Sequence, residues 1–261
     1  MKKILLTFDA EEFDLPREFN QEISDDAMYE ISKEGTDEIN CFLNKHGIKS
    51  TFFVTANFAI KYPSLIKKLF KEKHEIACHG YSHSDSYIKD LSGIKSAKKE
   101  IEKITGKKLN GFRAPRFEIK NISALSESGF AYDSSVHPTW IPGRYFNLHK
   151  KRKVHKIGKI TEIPLSVSPI FRLPVSWIFF KNFPMVYSKL FTIINGKFSD
   201  YTMLYFHSWE FSSEIVKFEI PNYIKKNPNE FLGKLEKYIL FCKKRGYEFD
   251  TVENYLQKLK L

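Results

Sequence analysis

Cysteine is scarce in this chain: three residues in 261, Cys41, Cys78 and Cys242, odd in number and far apart. That count argues against a disulfide framework and against cysteine-based metal sites, and it points to a reducing compartment. Long apolar runs are missing as well. The first holds only Ile4, Leu5 and Leu6 before Asp9 follows, too short for the core of a secretory signal, so the expected location is cytoplasmic. The most apolar later stretch, residues 169–191, is interrupted by Pro174, Lys181 and Pro184 and cannot cross a bilayer as a helix. No block of five like charges occurs, and no RNA-recognition or helix-turn-helix signature, so the net charge of +11 does not imply a nucleic-acid partner. Much of it reads as lysine on solvated helix faces, as opposite Leu232, Leu235, Ile239 and Cys242.

What is present is a hydrophobic fraction of 42%, enough for a full core, at a length that suits one α/β domain over residues 1–261. Apolar strand-like runs at 3–8, 50–56, 75–79, 111–115, 130–135 and 202–207 alternate with helical patterns. Among the helices, Ser64 is expected to cap 65–73 and Asp90 to cap 90–106. Alternation of this kind implies parallel strands with crossover helices, as a barrel or an open sheet. The rhythm breaks at about 138–199, which reads as a long elaboration, and returns with a strand, a long helix to Gly246, a strand at 247–251 and a short helix.

Two features carry chemistry. An apolar strand runs straight into His79, with His83 four residues on, and one helical turn would bring both imidazoles to one face. The first strand ends in TFDAEEFD. Two imidazoles and a carboxylate, with one position left for water, describe a catalytic metal site.

Five segments in order, TFDAEEFD, HGYSH, RAPRF, DSS and LYFH, resemble the motifs of the polysaccharide deacetylase family, over nearly the whole chain. The resemblance implies a distorted (β/α) barrel with a metal-dependent amide or ester hydrolase site at the carboxyl ends of its strands. The common pattern has two adjacent aspartates, catalytic base then metal ligand, but the second position here is Ala10. The chain therefore looks like the acid-x-acid branch: Asp9 the base, Glu11 the ligand beside His79 and His83, with Glu12 and Asp14 as substitutes. Residues 9 and 11 of an extended strand point to the same side. Arg113 resembles the arginine that orients the catalytic aspartate through a bidentate pair. His207 resembles the acid/base histidine that protonates the leaving amine, a task suited to imidazole. A divalent metal is implied, zinc first, with cobalt, nickel and iron equally suited to such ligands. The amide of Tyr81 is a candidate oxyanion donor.

Around this core, Asp133 is read as a loop-shaping residue, His137, Trp140 and Tyr145 as sugar contacts, and Trp209 and Glu210 as pocket lining. The stretch 169–191 reads as a lid or core layer, or as an interfacial segment that turns Arg172, Lys181 and Lys189 toward anionic headgroups. The expected activity is removal of an N-acyl group from a sugar, oligosaccharide or lipid-linked sugar in glycan or glycolipid biosynthesis, in the cytoplasm or peripheral to the inner face of the membrane. Two rivals stand beside it: deformylation or small-amide hydrolysis on the same barrel, and a catalytically weak glycan- or membrane-binding module.

Overall fold

The computed structural model describes residues 2–83, 91–117, 119 and 122–259. Its strands are β1 (Lys3–Ala10), β2 (Thr51–Val54), β3 (Glu75–Cys78), β4 (Gly111–Phe112), β5 (Tyr132–Asp133), β6 (Trp140–Ile141), β7 (Tyr145–Phe146), β8 (His155–Ile157), β9 (Ile160–Glu162), β10 (Tyr201–His207) and β11 (Glu248–Phe249). The helices are α1 (Leu15–Glu18), α2 (Asp25–Lys45), α3 (Ala56–Lys61), α4 (Pro63–Lys71), α5 (Leu91–Thr105), α6 (Ser123–Glu127), α7 (Ile178–Asn182), α8 (Met185–Phe198), α9 (Pro228–Lys244) and α10 (Val252–Lys258). Strands order as β10-β1-β2-β3-β4-β5-β9-β8, with β11 also on β1, and β6–β7 form a separate hairpin. All ladders from β10 to β9 are parallel, whereas the β8–β9 pair at the edge of that sheet and the β6–β7 hairpin are antiparallel. The sheet curls into a distorted half-barrel.

Alternation along the strands sorts the core into two layers. Ile4, Leu6, Phe8 and Ala10 of β1 pack against the surrounding helices, with Phe52, Val54, Ile76 and Phe206. Leu5 instead faces inward with Phe53, Ala77, Met203 and Tyr205. Register aligns Asp9 with His207 on one side and Phe53 on the other, so β1 and β10 deliver their functional residues to the same rim.

One local expectation, at Ser64, changes. Helix α2 begins at Asp25, capped by Ser24, because Met28, Ile31, Gly35 and Ile39 give its polar-looking first turns a buried side. Gly35 is essential to that packing: a Cβ there would stand 2.1 Å from the carbonyl oxygen of Ser208. Ser64 is not a cap, since Pro63 opens α4 and Tyr62 precedes it without a side-chain cap; proline suits the first turn because no partner waits for its missing N–H. Asp90 lies outside the described residues.

Candidate functional site

The inward face of the barrel is closed beneath the rim by a buried guanidinium. Arg113, following β4, is fully buried and stacks 4.0 Å over the ring of Phe53. Its Nη1 donates to Asp9 Oδ1 at 2.7 Å and to Thr7 Oγ1 at 3.0 Å, while Nε and Nη2 reach the carbonyl and hydroxyl of Ser134. The contact to Asp9 is through one nitrogen and one oxygen, not the bidentate pair expected from sequence, because Thr7 and Ser134 take the remaining donors. Asp9 is thereby fixed at the barrel rim with its second oxygen uncommitted to Arg113.

Ala10 belongs to the helix-facing core layer, and Glu11 returns to the inward side. Glu11 Oε2 lies 2.9 Å from His79 Nε2 and 3.6 Å from His83 Nε2, and Oε1 lies 3.8 Å from His207 Nε2. The orientation of each imidazole is set from behind. His79 Nδ1 stands 2.8 Å from the Arg113 carbonyl, to which it donates, and His83 Nδ1 is 3.0 Å from both oxygens of Asp14. Both Nε2 atoms therefore point at Glu11. The 79–83 segment is not the helical turn that the spacing suggests; Gly80 takes a left-handed φ of +79° and the loop folds both rings inward by another route. Glu12 turns aside to accept from Thr55 and Tyr29, and burial raises its pKa.

The electrostatics of this cluster are those of a seat for positive charge. Burial opposes ionisation of Glu11, yet the imidazoles around it, His83 foremost, hold its carboxyl well below the usual range. Burial likewise opposes a charged His83, but Glu11 and Asp14 outweigh it and raise its pKa to about 9.

His207 ends β10 across from this cluster. Its ring lies between Trp209, 4.8 Å away and nearly parallel, and Trp177, 4.7 Å away and edge-on. Glu210 Oε1 accepts from the His207 backbone N–H at 2.6 Å and sits 3.1 Å from Nδ1, leaving Nε2 toward the cavity. Glu210 in turn pairs with Lys181 of α7, both side chains fully buried, and Lys181 also donates to the Ile224 carbonyl at 2.6 Å. Burial works against the Glu210 charge, but Lys181 holds its pKa below the ordinary value. Two expectations are corrected here. Glu210 supports His207 from behind rather than lining the pocket, and Lys181 faces the core rather than a lipid headgroup. The H-x-x-E spacing at 207–210, which matches a helix-capping arrangement, was the available sequence signal. Nothing local marks Lys181 or Trp177.

These side chains wall a cavity of about 470 Å³. Its remaining lining includes Phe117, Tyr205, and His137 and Tyr145, which meet at 2.7 Å between Nδ1 and Oη. Burial lowers the His137 pKa to about 3, so its ring is neutral. Trp140 lies elsewhere: it is 56% exposed on the outer side of the β6–β7 hairpin against Phe146, not in the cavity. Tyr81 is not on the cavity wall, and its carbonyl accepts from Asn57. Asp133 is indeed bonded to Ser135, which also accepts from the Ala114 amide beside Arg113. Nothing in the sequence marks its buried neighbour Glu162, whose pKa is raised well above the usual carboxylate range by burial and by the Asp133 carboxylate.

Comparison with known proteins supplies the family. A model described as polysaccharide deacetylase matches residues 1–132. A peptidoglycan-N-acetylmuramic acid deacetylase of Bacillus subtilis, PdaA, is 39% identical over 77 residues, covering 28% of this chain and 29% of that protein. A chitin deacetylase of Arthroderma benhamiae is 35% identical over 104 residues, covering 39% and 26% respectively. The chain thus spans less than a third of either relative. Among solved structures, a CE4-family pseudoenzyme from Bacillus anthracis superposes with a TM-score of 0.55 at 14% identity, covering 97% of this chain and 64% of that one, a likeness of fold. With half its length matched by the family model and the same barrel throughout, the chain belongs to the polysaccharide deacetylase family.

Proposed function

We propose that the protein is a metal-dependent sugar N-deacetylase, on the convergence of His79 Nε2 and His83 Nε2 upon Glu11, between Asp9 held by Arg113 and His207 held by Glu210. Among the described residues, no group of three or more His, Cys, Asp or Glu is already arrayed as an ion-binding set. The donors nonetheless fit one. Two atoms each about 2.1 Å from a tetrahedral ion lie about 3.4 Å apart, and the Glu11 oxygen is 2.9 and 3.6 Å from the two imidazole nitrogens. Backing of each ring by a carbonyl or carboxylate is the arrangement that orients metal-bound histidines. Glu11, His79 and His83 would hold a divalent ion, zinc first, which would supply Lewis acidity for the hydrolytic step.

The chain's own groups do the rest. Asp9 accepts a proton from the attacking water, its orientation fixed by Arg113. His207 delivers a proton to the departing nitrogen through Nε2, because Nδ1 is committed to Glu210. The products are a free amino sugar and a carboxylate. His137, Tyr145, Trp177 and Tyr205 shape the sugar subsite. In the same reading the substrate is an acylated polysaccharide, oligosaccharide or lipid-linked sugar met in the cytoplasm during glycan or glycolipid synthesis, where the three free thiols suit the redox state.

A weak binding module is the second reading, favoured by Ala10 at the position of the common aspartate. The two separate in one experiment: acetate release from N-acetylated chito- and peptidoglycan oligosaccharides by zinc-loaded protein, before and after chelation. Release that stops with chelator and returns with zinc supports the hydrolase; metal binding with no release overturns it.

A further inference from the structure

Charge is distributed very unevenly along this chain. Between Asp133 and Asp200 there are eleven Lys and Arg against a single acid, Glu162, so nearly all of the net +11 resides there. The same segment carries the most exposed apolar side chains. Ile170 and Phe171, at the tip of the turn closed by the Val167–Pro174 bridge, are 79% and 76% exposed, and Trp140 and Phe146 of the β6–β7 hairpin are 56% and 62% exposed. Arg172 ties these pieces together: its carbonyl accepts from Thr139 at 2.6 Å and its guanidinium donates to the Lys150 carbonyl at 3.0 Å. That last contact brings the run Lys150, Lys151, Arg152, Lys153 beside the two apolar tips, with all three lysines exposed. Ile141, Gly143, Tyr145 and Pro174 of the same elements line the cavity that holds Glu11, His79 and His207.

We infer that this rim docks on an anionic lipid bilayer, with Trp140, Phe146, Ile170 and Phe171 entering the interface, Lys150, Lys151 and Lys153 among the headgroups, and the cavity mouth turned toward the membrane. Protruding apolar side chains flanked by cations are the physical requirements of interfacial binding, each supplying a separate term. A soluble polyanion would be served by the cations alone and gives no reason for four large apolar groups to project into water. Docking in this orientation places a lipid-borne sugar at the cavity; that consequence rests on the hydrolase reading, whereas the docking does not.

The test therefore uses no activity. The full chain is sedimented with phosphatidylcholine vesicles containing about one third phosphatidylglycerol, at low and high salt, while tryptophan emission is followed. The expected result is binding that weakens with salt, a blue shift lost in Trp140→Phe, and a drop of about tenfold or more in affinity for Lys150→Gln/Lys151→Gln/Lys153→Gln and for Ile170→Ser/Phe171→Ser. Val186→Ser/Leu190→Ser, on the exposed side of α8, serves as control and should bind normally. Absence of binding at low salt overturns the proposal. So does equal binding to pure phosphatidylcholine, retention by a soluble polyanion without vesicle binding, or a loss confined to the α8 variant.

Discussion

The barrel proper and the 134–199 segment solve opposite problems. In the barrel, cations and acids are almost equal in number, and at the site the buried charges face opposite partners: Arg113 meets Asp9, and Glu11 meets the imidazoles around it. In the segment the charge is nearly all of one sign and faces outward, and among the described residues ten of the fourteen large apolar side chains that remain exposed belong to it. A single net charge for the whole chain conceals this division, since the barrel contributes almost nothing to it. Lys181 is the one point where the segment obeys the rule of the barrel: its ammonium is buried and neutralised by Glu210, under the histidine that the other side of the site requires.

Breaking the barrel's side of the comparison should give the largest effects. Glu11→Gln, His79→Ala and His83→Ala should each lose bound metal and with it all turnover, measured by metal analysis and acetate release. Asp9→Asn and His207→Ala should keep the metal and lower kcat by about 10²- to 10⁴-fold, the range for a lost proton-transfer group; Arg113→Ala should resemble Asp9→Asn in milder form. Metal retained in Glu11→Gln would remove Glu11 from the ligand set.

The link between the regions comes next. Lys181→Met leaves Glu210 buried without its partner and should destabilise the fold by about 3–5 kcal/mol, read by denaturant unfolding, whereas Lys181→Met with Glu210→Gln should recover most of that loss. If the double variant is no more stable than the single, the pair is not coupled.

A smaller effect sharpens the electrostatic reading of the barrel site. A His83 pKa raised from 6.5 to about 9 means that, below pH 9, an incoming cation must displace a proton held there. Zinc affinity should therefore climb about tenfold per pH unit from 7 toward 9 and then level, with proton release seen by calorimetry in buffers of different ionisation enthalpy. A flat affinity would show that His83 is already neutral. Smallest of all, Trp140→Ser and Phe171→Ser should change unfolding free energy by no more than about 0.5 kcal/mol and leave kcat on a soluble oligosaccharide unaltered, since neither side chain is in the core or the cavity. A marked loss of either would move these residues from the outer surface into the workings of the barrel.

How much of this was legible in sequence follows the same division. Strand ends in the barrel announce themselves because an apolar run stops at a charged or imidazole side chain, as at Asp9, His79 and His207, and the period of two explains how Glu11 returns to the side of Asp9 past Ala10. Partnerships across space do not announce themselves. The Lys181–Glu210 pair joins residues on separate elements, and Lys181 in an aromatic stretch looks the same whether it snorkels outward or meets a carboxylate inside. The spacing of His79 and His83 suggests a helical turn, whereas both rings reach Glu11 through a loop that bends at Gly80. Ser64 is not the cap because Pro63 starts the helix two residues earlier than the pattern from Leu65 suggests.

The neighbour relation of β1 and β10 has a temporal side. Asp9 and His207 stand opposite each other in register, though nearly two hundred residues separate them along the chain. As the polypeptide emerges from the ribosome, β1 can acquire β2 early, but its other edge must wait until residues 201–207 have been made. During that interval an unpaired, strongly apolar strand edge is available to other chains, a hazard for aggregation and a reason for chaperone engagement. Assembly of the site is delayed for the same period: His207 and the second wall of the cavity are absent until the late strand docks, so a truncated or stalled product has Asp9, Glu11 and His79 without the side chain that faces them from β10.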